Sequence, residues 1–158
     1  MPQFKTVALG GTFDIIHKGH LELLRKAFSI SSKVIIGLTS DELAIRKGKN
    51  PVNNYSRREM LLISAISKNF PNSSYEISKL ANDFGPAAIE GNVEALVTSE
   101  ETKYQGQVLN DLRKQKKLPP VAVIDVPMVM AQDGKRISST RIKNFEIDTE
   151  GNLSQIDN

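Results

Sequence analysis

The residues most suited to chemistry lie in one short segment, 10–20, which reads Gly-Gly-Thr-Phe-Asp-Ile-Ile-His-Lys-Gly-His. It contains both histidines of the chain, His17 and His20. Because they are three residues apart at the predicted start of a helix, both imidazoles can face one point. Gly10 and Gly11 let backbone amides approach a ligand closely, and the free N–H groups of a helix start favour anions. The segment therefore predicts a phosphate site with imidazole donors.

Other interpretations of this segment fit its residues less well. A structural zinc site takes four nitrogen or sulfur ligands, and the chain offers two histidines and no cysteine. The His-Glu-x-x-His pattern of metalloproteases is absent, as is the Gly-x-Gly-x-x-Gly pattern of dinucleotide sites. The alternative that stays open is a structural one, in which both histidines are hydrogen-bonded side chains without a ligand.

Strands and helices alternate along the chain and must position this segment. Short apolar runs predict strands at residues 6–9, 34–38, 75–77, 95–97 and 121–126. Helices are predicted over 18–30, between Ser56 as N-cap and Pro71, and around Tyr104, Val108 and Leu112. This alternation is typical of an α/β fold with a parallel sheet of about five strands and helices on both faces. Ligands bind such sheets beyond the carboxyl ends of the strands, which is where segment 10–20 begins.

The composition indicates a single globular domain. The chain has 158 residues, of which 39% are hydrophobic and 25% charged, and this suffices for a buried core. The absence of cysteine excludes disulfide frameworks and thiolate chemistry. No apolar run reaches the roughly 20 residues that span a bilayer. We therefore expect a soluble, cytoplasmic protein that does not act at a membrane.

The domain is expected to cover residues 1–150, with an acidic, mobile tail over 151–158. Residues 146–158 contain four acidic residues and no lysine or arginine. From Asp148 onwards the large apolar residues are Leu153 and Ile156, too few to offset the entropy of ordering the segment. Truncation after Gly151 is then expected to change neither turnover nor stability.

Basic residues form three clusters, within residues 46–58, 113–117 and 135–143. Separated basic clusters favour an anionic partner, either a nucleic acid or a small phosphorylated molecule. Aromatic residues are not interleaved with the bases as single-strand binding requires, so we expect no nucleic-acid partner. A solvated surface is the alternative for each cluster taken alone.

Two motifs together resemble a known superfamily. Gly-Gly-Thr-Phe-Asp with His17-x-Gly-His20, and Ile137-Ser-Ser-Thr-Arg-Ile142 about 120 residues later, resemble the signatures of the HxGH nucleotidyltransferases. Further matches resemble the archaeal and eukaryotic phosphopantetheine adenylyltransferases of that superfamily; they are residues 38–41, Tyr55 with Arg58, residues 98–102, Asn110 with Arg113, residues 131–134 and residues 146–148. The resemblance extends to about Gly151. It departs from the pattern at Gln132, where an acidic residue is usual, and at Phe145, where glycine is usual.

This resemblance implies a Rossmann-like nucleotidyltransferase fold and an enzymatic activity. The reaction would transfer the adenylyl group of ATP to 4′-phosphopantetheine, giving dephospho-CoA and pyrophosphate, with Mg²⁺ screening the triphosphate. The protein ligands of the metal stay unidentified. The alternatives are a sister transferase, which would be a glycerol-phosphate cytidylyltransferase or an FMN or NMN adenylyltransferase, and a non-catalytic nucleotide-binding module.

The resemblance also implies roles for particular residues. His20 would stabilise the α-phosphate in the transition state, and Lys47 would hold the substrate phosphate, with Lys49 as the alternative in a poorly aligned loop. The nucleotide contacts would be Gly11, Thr12, Phe13, His17, Gly19, His20, Ser138, Ser139, Thr140 and Arg141, and the further substrate contacts Thr12 and Arg113. Ordinary N-capping is the alternative role for the serines.

Overall fold

The computed structural model describes residues 2–85, 88–89, 91–100 and 102–153. The strands are β1 (Phe4–Gly11), β2 (Ser31–Thr39), β3 (Tyr75–Leu80), β4 (Ala95–Ser99) and β5 (Ala122–Val126). The helices are α1 (Lys18–Ile30), α2 (Asp41–Arg46), α3 (Tyr55–Asn69), α4 (Tyr104–Gln115) and α5 (Ser139–Lys143). No helix within the described ranges is long and apolar enough to cross a membrane.

The five strands form one parallel sheet in the order β3-β2-β1-β4-β5. This confirms the predicted α/β class. Successive strands first add on one side of β1 and then, from β4, on the other side, so the strand order reverses between β1 and β4. Loops that leave the carboxyl ends of these two strands diverge to opposite faces of the sheet. Their divergence opens a crevice, and ligands bind such sheets in a crevice of this kind.

Alternate residues of the central strands are buried in two separate hydrophobic clusters, one on each face of the sheet. Val7 of β1 packs with Leu24 of α1 and Leu62 of α3. Ala8, the next residue of β1, instead packs with Leu109 of α4. Because successive side chains of a strand point to opposite faces, these contacts confirm that helices cover both sides.

Two local features differ from the sequence prediction. Helix α3 begins at Tyr55 and its N-cap is Asn54, whose side chain accepts the N–H of Arg57, so the prediction of Ser56 as the cap is wrong by two positions. Helix α2, capped by Ser40, is only six residues long and was not predicted. It is too short to show helical periodicity in the sequence.

The fold continues past residue 146 to Leu153, so it includes the first three residues of the tail expected over 151–158. Ile147 is 2% exposed and packs against Ala131 and Ile137. The Asp148 carboxylate accepts the N–H groups of Glu150 and Asn152, which turns the chain back on itself. Backbone hydrogen bonding thus orders residues 147–153 with little apolar burial. Residues 154–158 of the expected tail lie outside the described residues.

The turned segment is also tied to the loop before α5. The N–H of Gln132 donates to the carbonyl of Gly151, and the N–H of Leu153 donates to Gln132 Oε1. Truncation after Gly151 would remove the second of these bonds together with the bridge between Ile147 and Leu153. The expectation that such a truncation is neutral stays a prediction, which turnover and unfolding of the truncated chain would test.

Candidate active site

A cleft of about 690 Å³ opens at the carboxyl ends of β1, β4 and β5. Its walls are formed by the loop after β1 with the start of α1, by residues 47–51, by the loops after β4 and β5, and by residues 136–140 with Lys143. The cleft brings together eleven of the residues predicted from the sequence: Gly11, Thr12, Phe13, His17, Gly19, His20, Lys47, Lys49, Ser138, Ser139 and Thr140. Segments distant in sequence thus meet at one site.

The two histidines cap the start of α1 together and contact each other. Nδ1 of His17, the N-cap, accepts the N–H of Gly19 at 3.1 Å, and Nδ1 of His20 accepts the N–H of His17 at 3.2 Å. This is a capping box built from imidazoles. The two rings stack with centroids 3.8 Å apart. A Cβ on Gly19 would lie 2.9 Å from Cε1 of His17, so glycine is needed for the ring to fold back.

Burial favours the neutral form of both imidazoles. Burial, with the nearby charge of Arg136, lowers the pKa of His17 to about 4. Burial and then the neighbouring His17 lower the pKa of His20 well below its usual value, against a hydrogen bond to the Ile15 backbone. Because each Nδ1 accepts a hydrogen bond, the ring proton of each neutral imidazole lies on Nε2. The histidines are therefore uncharged hydrogen-bond donors.

The start of α1 offers fewer free N–H groups than the sequence suggested. The N–H of Lys18 donates to the carbonyl of Thr149 at 3.0 Å, and that of Gly19 is held by His17. Phe13 contributes packing, because it is buried and its ring centroid lies 4.9 Å from that of His20. Anion binding at this end of the cleft therefore depends more on the imidazoles than on the helix start.

Lys47 and Lys49 lie on the opposite wall, just after α2. Lys47 forms an ion pair with Asp83 and also borders a second, smaller cleft of about 370 Å³. That cleft has a largely apolar lining, which includes Leu43, Phe84, Ile89, Val108 and Leu112. Lys47 thus lies where this smaller, mostly apolar cleft meets the larger cleft.

Residues 138–140 begin α5 at the third wall. Ser138 is its N-cap and accepts the N–H of Arg141, so N-capping is part of its role. Ser139 Oγ donates to the carbonyl of Ile15 at 3.3 Å, which links this helix to the loop after β1. Because α5 has five residues, its dipole is small, and its hydroxyl and amide groups are what it offers an anion.

Carboxylates are scarce on the walls of the cleft. Asp14 is 4% exposed, and its oxygens accept the N–H groups of Val52 and Asn53 and pair with Lys143. Burial raises its pKa, but the bond from Lys143 and the two backbone N–H groups outweigh burial and hold it below the usual value. Within the described ranges no three His, Cys, Asp or Glu side chains come together as a metal site. The residues present do not fit a resident metal.

Comparison with known proteins agrees with this geometry. The family described as Cytidylyltransferase-like matches residues 8–145. The phosphopantetheine adenylyltransferase of Methanosarcina acetivorans is 40% identical over 152 residues, covering 94% of this chain and 96% of that protein. The chain belongs to this family. The enzyme of the same name from Pyrococcus horikoshii is 40% identical over 154 residues, with 96% of each chain covered.

A solved structure extends the comparison to the fold. A protein of unknown function from Archaeoglobus fulgidus superposes with a TM-score of 0.70 at 28% identity, covering 77% of this chain and 88% of that one. The resemblance inferred from the two motifs is thereby confirmed, and the chain is a nucleotidyltransferase of the phosphopantetheine adenylyltransferase family.

One predicted substrate residue of this family member lies elsewhere. Arg113, at the end of α4, is 4% exposed, and its guanidinium donates to the carbonyls of Ala88, Gly91 and Pro119. These carbonyls precede β4 and β5, so they lie at the sheet edge opposite the cleft. Arg113 is therefore absent from the cleft lining and holds loops together, so this geometry gives no support to its predicted substrate contact.

Arg141 also fails to reach the cleft wall. Its guanidinium pairs with Asp133 and Glu146 and donates to the carbonyl of Arg136. On a helix, residues four apart share a face, so Ser139 and Lys143 point to the cleft and Arg141 points away. The charged residues of this wall that the sequence analysis did not predict are Arg136 and Lys143. Lys143 could have been predicted, because it is four residues after Ser139 on the same helix.

Proposed function

We propose that this chain catalyses the transfer of the adenylyl group of ATP to 4′-phosphopantetheine, giving dephospho-CoA and pyrophosphate. A phosphate oxygen of the acceptor attacks the α-phosphorus of ATP. The bond between that phosphorus and the oxygen leading to the β-phosphate breaks, and its electron pair leaves with pyrophosphate. The family membership supports the reaction class, and the cleft supports the choice of substrates.

The observation that carries the proposal is that Lys47 borders both clefts, the larger one and the smaller, mostly apolar one. 4′-Phosphopantetheine combines an anionic end with a long, weakly polar arm. The smaller cleft beside Lys47, lined by Leu43, Phe84, Val108 and their neighbours, is apolar enough to hold such an arm. The Lys47 ammonium has the charge to bind the phosphate. Lys47 would then hold the nucleophile at the boundary, with Lys49 beside it on the same wall and Thr12 across the larger cleft.

The nucleotide would occupy the remainder of the larger cleft. His17 and His20 would donate from Nε2 to the triphosphate, with His20 serving the α-phosphate as charge develops there. Gly11 and Gly19 let the phosphates approach the backbone, and Ser138, Ser139 and Thr140 would hold the β- and γ-phosphates. Arg136, whose charge already lowers the pKa of His17, would supply the cation that the resemblance implied for Arg141.

The reaction needs little acid–base chemistry from the protein. A phosphate monoester is already anionic near neutral pH, so no general base is required. Catalysis then rests on bringing two polyanions into line and stabilising the developing charge. A site of imidazoles, lysines and backbone amides, with its one buried carboxylate already paired, has the composition this mechanism requires.

We also propose the metal, the cellular compartment and the extent of the catalytic domain. Mg²⁺ enters with ATP as part of the substrate, because triphosphate oxygens are its preferred ligands. The enzyme acts in the cytoplasm on two small molecules and has neither a nucleic-acid nor a membrane partner. One nucleotidyltransferase domain, which we extend from residue 150 to Leu153, carries the whole activity.

Pyrophosphate release tests the proposal directly. ATP and CTP are each combined with 4′-phosphopantetheine, glycerol 3-phosphate, FMN or nicotinamide mononucleotide. We expect release with ATP and 4′-phosphopantetheine, and its loss in the His20→Gln variant. Preference for CTP or for another acceptor would establish a sister transferase. Nucleotide binding without turnover for any pair would establish a non-catalytic module instead.

A further inference from the structure

Lys143 reaches from α5 across the cleft to two other walls. Its Nζ lies 2.8 Å from Oδ2 of Asp14, in the loop after β1, and donates to the carbonyl of Asn50 at 3.1 Å. The Lys143 side chain is 25% exposed and that of Asp14 is 4% exposed. The ion pair is therefore shielded from solvent. Dissolved salt weakens it less than it weakens a solvent-exposed ion pair.

Asp14 holds the same loop through its other hydrogen bonds. Its carboxylate accepts the N–H of Val52 at 2.8 Å and that of Asn53 at 3.0 Å. The Asn53 side-chain amide in turn donates to the backbone carbonyl of Asp14 at 3.1 Å. Residues 50–53 are thus fixed from both sides, by Asp14 and by Lys143. These residues directly follow the segment that carries Lys47 and Lys49.

We propose that Lys143 and Asp14 form a clasp that sets the distance between the acceptor-binding segment 47–53 and the nucleotide-binding residues 138–140, so that Lys143 is a positioning residue for the acceptor phosphate. The proposal rests on the function proposed above. In-line attack requires the two reacting phosphates to meet in one geometry, and the clasp joins the walls that hold them. The lysine, although it lines the cleft, is proposed to act on the acceptor through the loop and not by direct contact.

The test compares the variants Lys143→Met, Lys143→Arg and Asp14→Asn with a matched control, Lys26→Met. Lys26 is an exposed lysine of α1 that lies away from both clefts. For Lys143→Met we expect the KM for 4′-phosphopantetheine to rise and kcat to fall, each on the order of tenfold, with the KM for ATP within about twofold of the wild type. Lys143→Arg should recover most of both losses.

Amide hydrogen exchange in the ligand-free protein tests the clasp independently of any substrate. We expect the amides of Val52 and Asn53 to exchange faster in Lys143→Met and in Asp14→Asn, and at the wild-type rate in Lys26→Met. Normal exchange in Lys143→Met would overturn the clasp. Faster exchange in Lys143→Met with unchanged steady-state kinetics would show that the clasp is only a structural contact, and would overturn the positioning role of Lys143.

The kinetic outcomes separate this proposal from the proposed function. A loss in Lys143→Met confined to the KM for ATP would show that Lys143 contacts the triphosphate, and would overturn its positioning role toward the acceptor. A wild-type protein that releases no pyrophosphate with 4′-phosphopantetheine would overturn the proposed function, and the acceptor role of the clasp with it. Exchange measurements distinguish the two failures, because they need neither substrate.

Discussion

Nδ1 of His20 accepts the backbone N–H of His17, so one imidazole both closes the start of α1 and lines the cleft. A substitution of His20 therefore changes two things at once, the helix cap and the site. Glutamine is a preferred residue at the third position of a capping box, because its side chain can accept the same N–H. The structure thus offers a variant that separates the two roles.

We expect His20→Gln to lower kcat by about 10²-fold, the scale of losing one preorganised donor, while stability stays close to that of the wild type. His20→Ala should lose the same activity and, in addition, about 1 kcal/mol of unfolding free energy through the missing cap. Steady-state kinetics and urea unfolding of both variants provide the comparison. Near-normal turnover in folded His20→Gln would refute the catalytic role of His20.

Stability should fall as the solution is acidified through the range in which His17 titrates. Its pKa is lowered from 6.5 to about 4 in the folded protein. The unfolded chain therefore binds more protons between these values, so the stabilisation is present above pH 6.5 and is lost as the pH falls towards about 4. From about pH 7.5 to about pH 5 we expect this residue to remove about 2 kcal/mol of unfolding free energy.

His17→Ser is the control for this pH dependence, because serine keeps an N-cap acceptor and removes the titrating ring. Its unfolding free energy should change less over the same interval. The residual slope would come from His20, whose pKa is lowered in the same direction. A wild type and a His17→Ser variant with identical pH profiles would mean that His17 is not held neutral by burial.

The two lysines after α2 should differ in the substrate they affect. Lys47 borders both clefts, whereas Lys49 borders only the larger one among the walls described. We expect Lys47→Met to raise the Kd for 4′-phosphopantetheine on the order of tenfold, the loss of one charge-assisted contact, with little change in the Kd for ATP. Calorimetry of each ligand measures this. A defect in Lys49→Met beside a normal Lys47→Met would transfer the role to Lys49.

Much of the site could be predicted because its residues are adjacent in sequence. His17 and His20 stand beside a turn between a clear strand and a clear helix, so their convergence follows from local geometry. Ser138 to Thr140, by contrast, were expected from the resemblance to the second motif, because a Ser-Ser-Thr run by itself also fits ordinary N-capping. Parallel strands then bring both segments to one edge of the sheet, which the strand pattern also predicts.

The sequence does not predict which basic residues of a cluster reach the cleft, because this depends on tertiary contacts. Arg113 and Arg141 lie in basic clusters, but the carbonyls before β4 and β5 bind the first, and Asp133 and Glu146 bind the second. Lys143, from the same cluster as Arg141, reaches the cleft. Charge counting treats these residues alike, because their partners are distant in sequence.

Gly151, in the segment 147–153, and Gly134 both have a positive φ. Gly151 has φ +84° and Gly134 has φ +79°, so alanine is strained at both by about 1–2 kcal/mol. The space around them differs. A Cβ on Gly151 would lie 2.7 Å from Cδ1 of Ile137 and 3.0 Å from Cα of Ala131, whereas one on Gly134 meets nothing within 4 Å.

Gly134→Ala therefore measures the backbone strain alone, and Gly151→Ala adds the collision with the loop that leads into Ser138. We expect Gly151→Ala to lose about 1–3 kcal/mol more unfolding free energy than Gly134→Ala, and to raise the KM for ATP as Ile137 moves. Urea unfolding and steady-state kinetics of the pair provide the measurement. Equal losses in the two variants would mean that residues 147–153 can move away from Ala131 and Ile137 at little cost, and that this segment does not brace the nucleotide wall of the cleft.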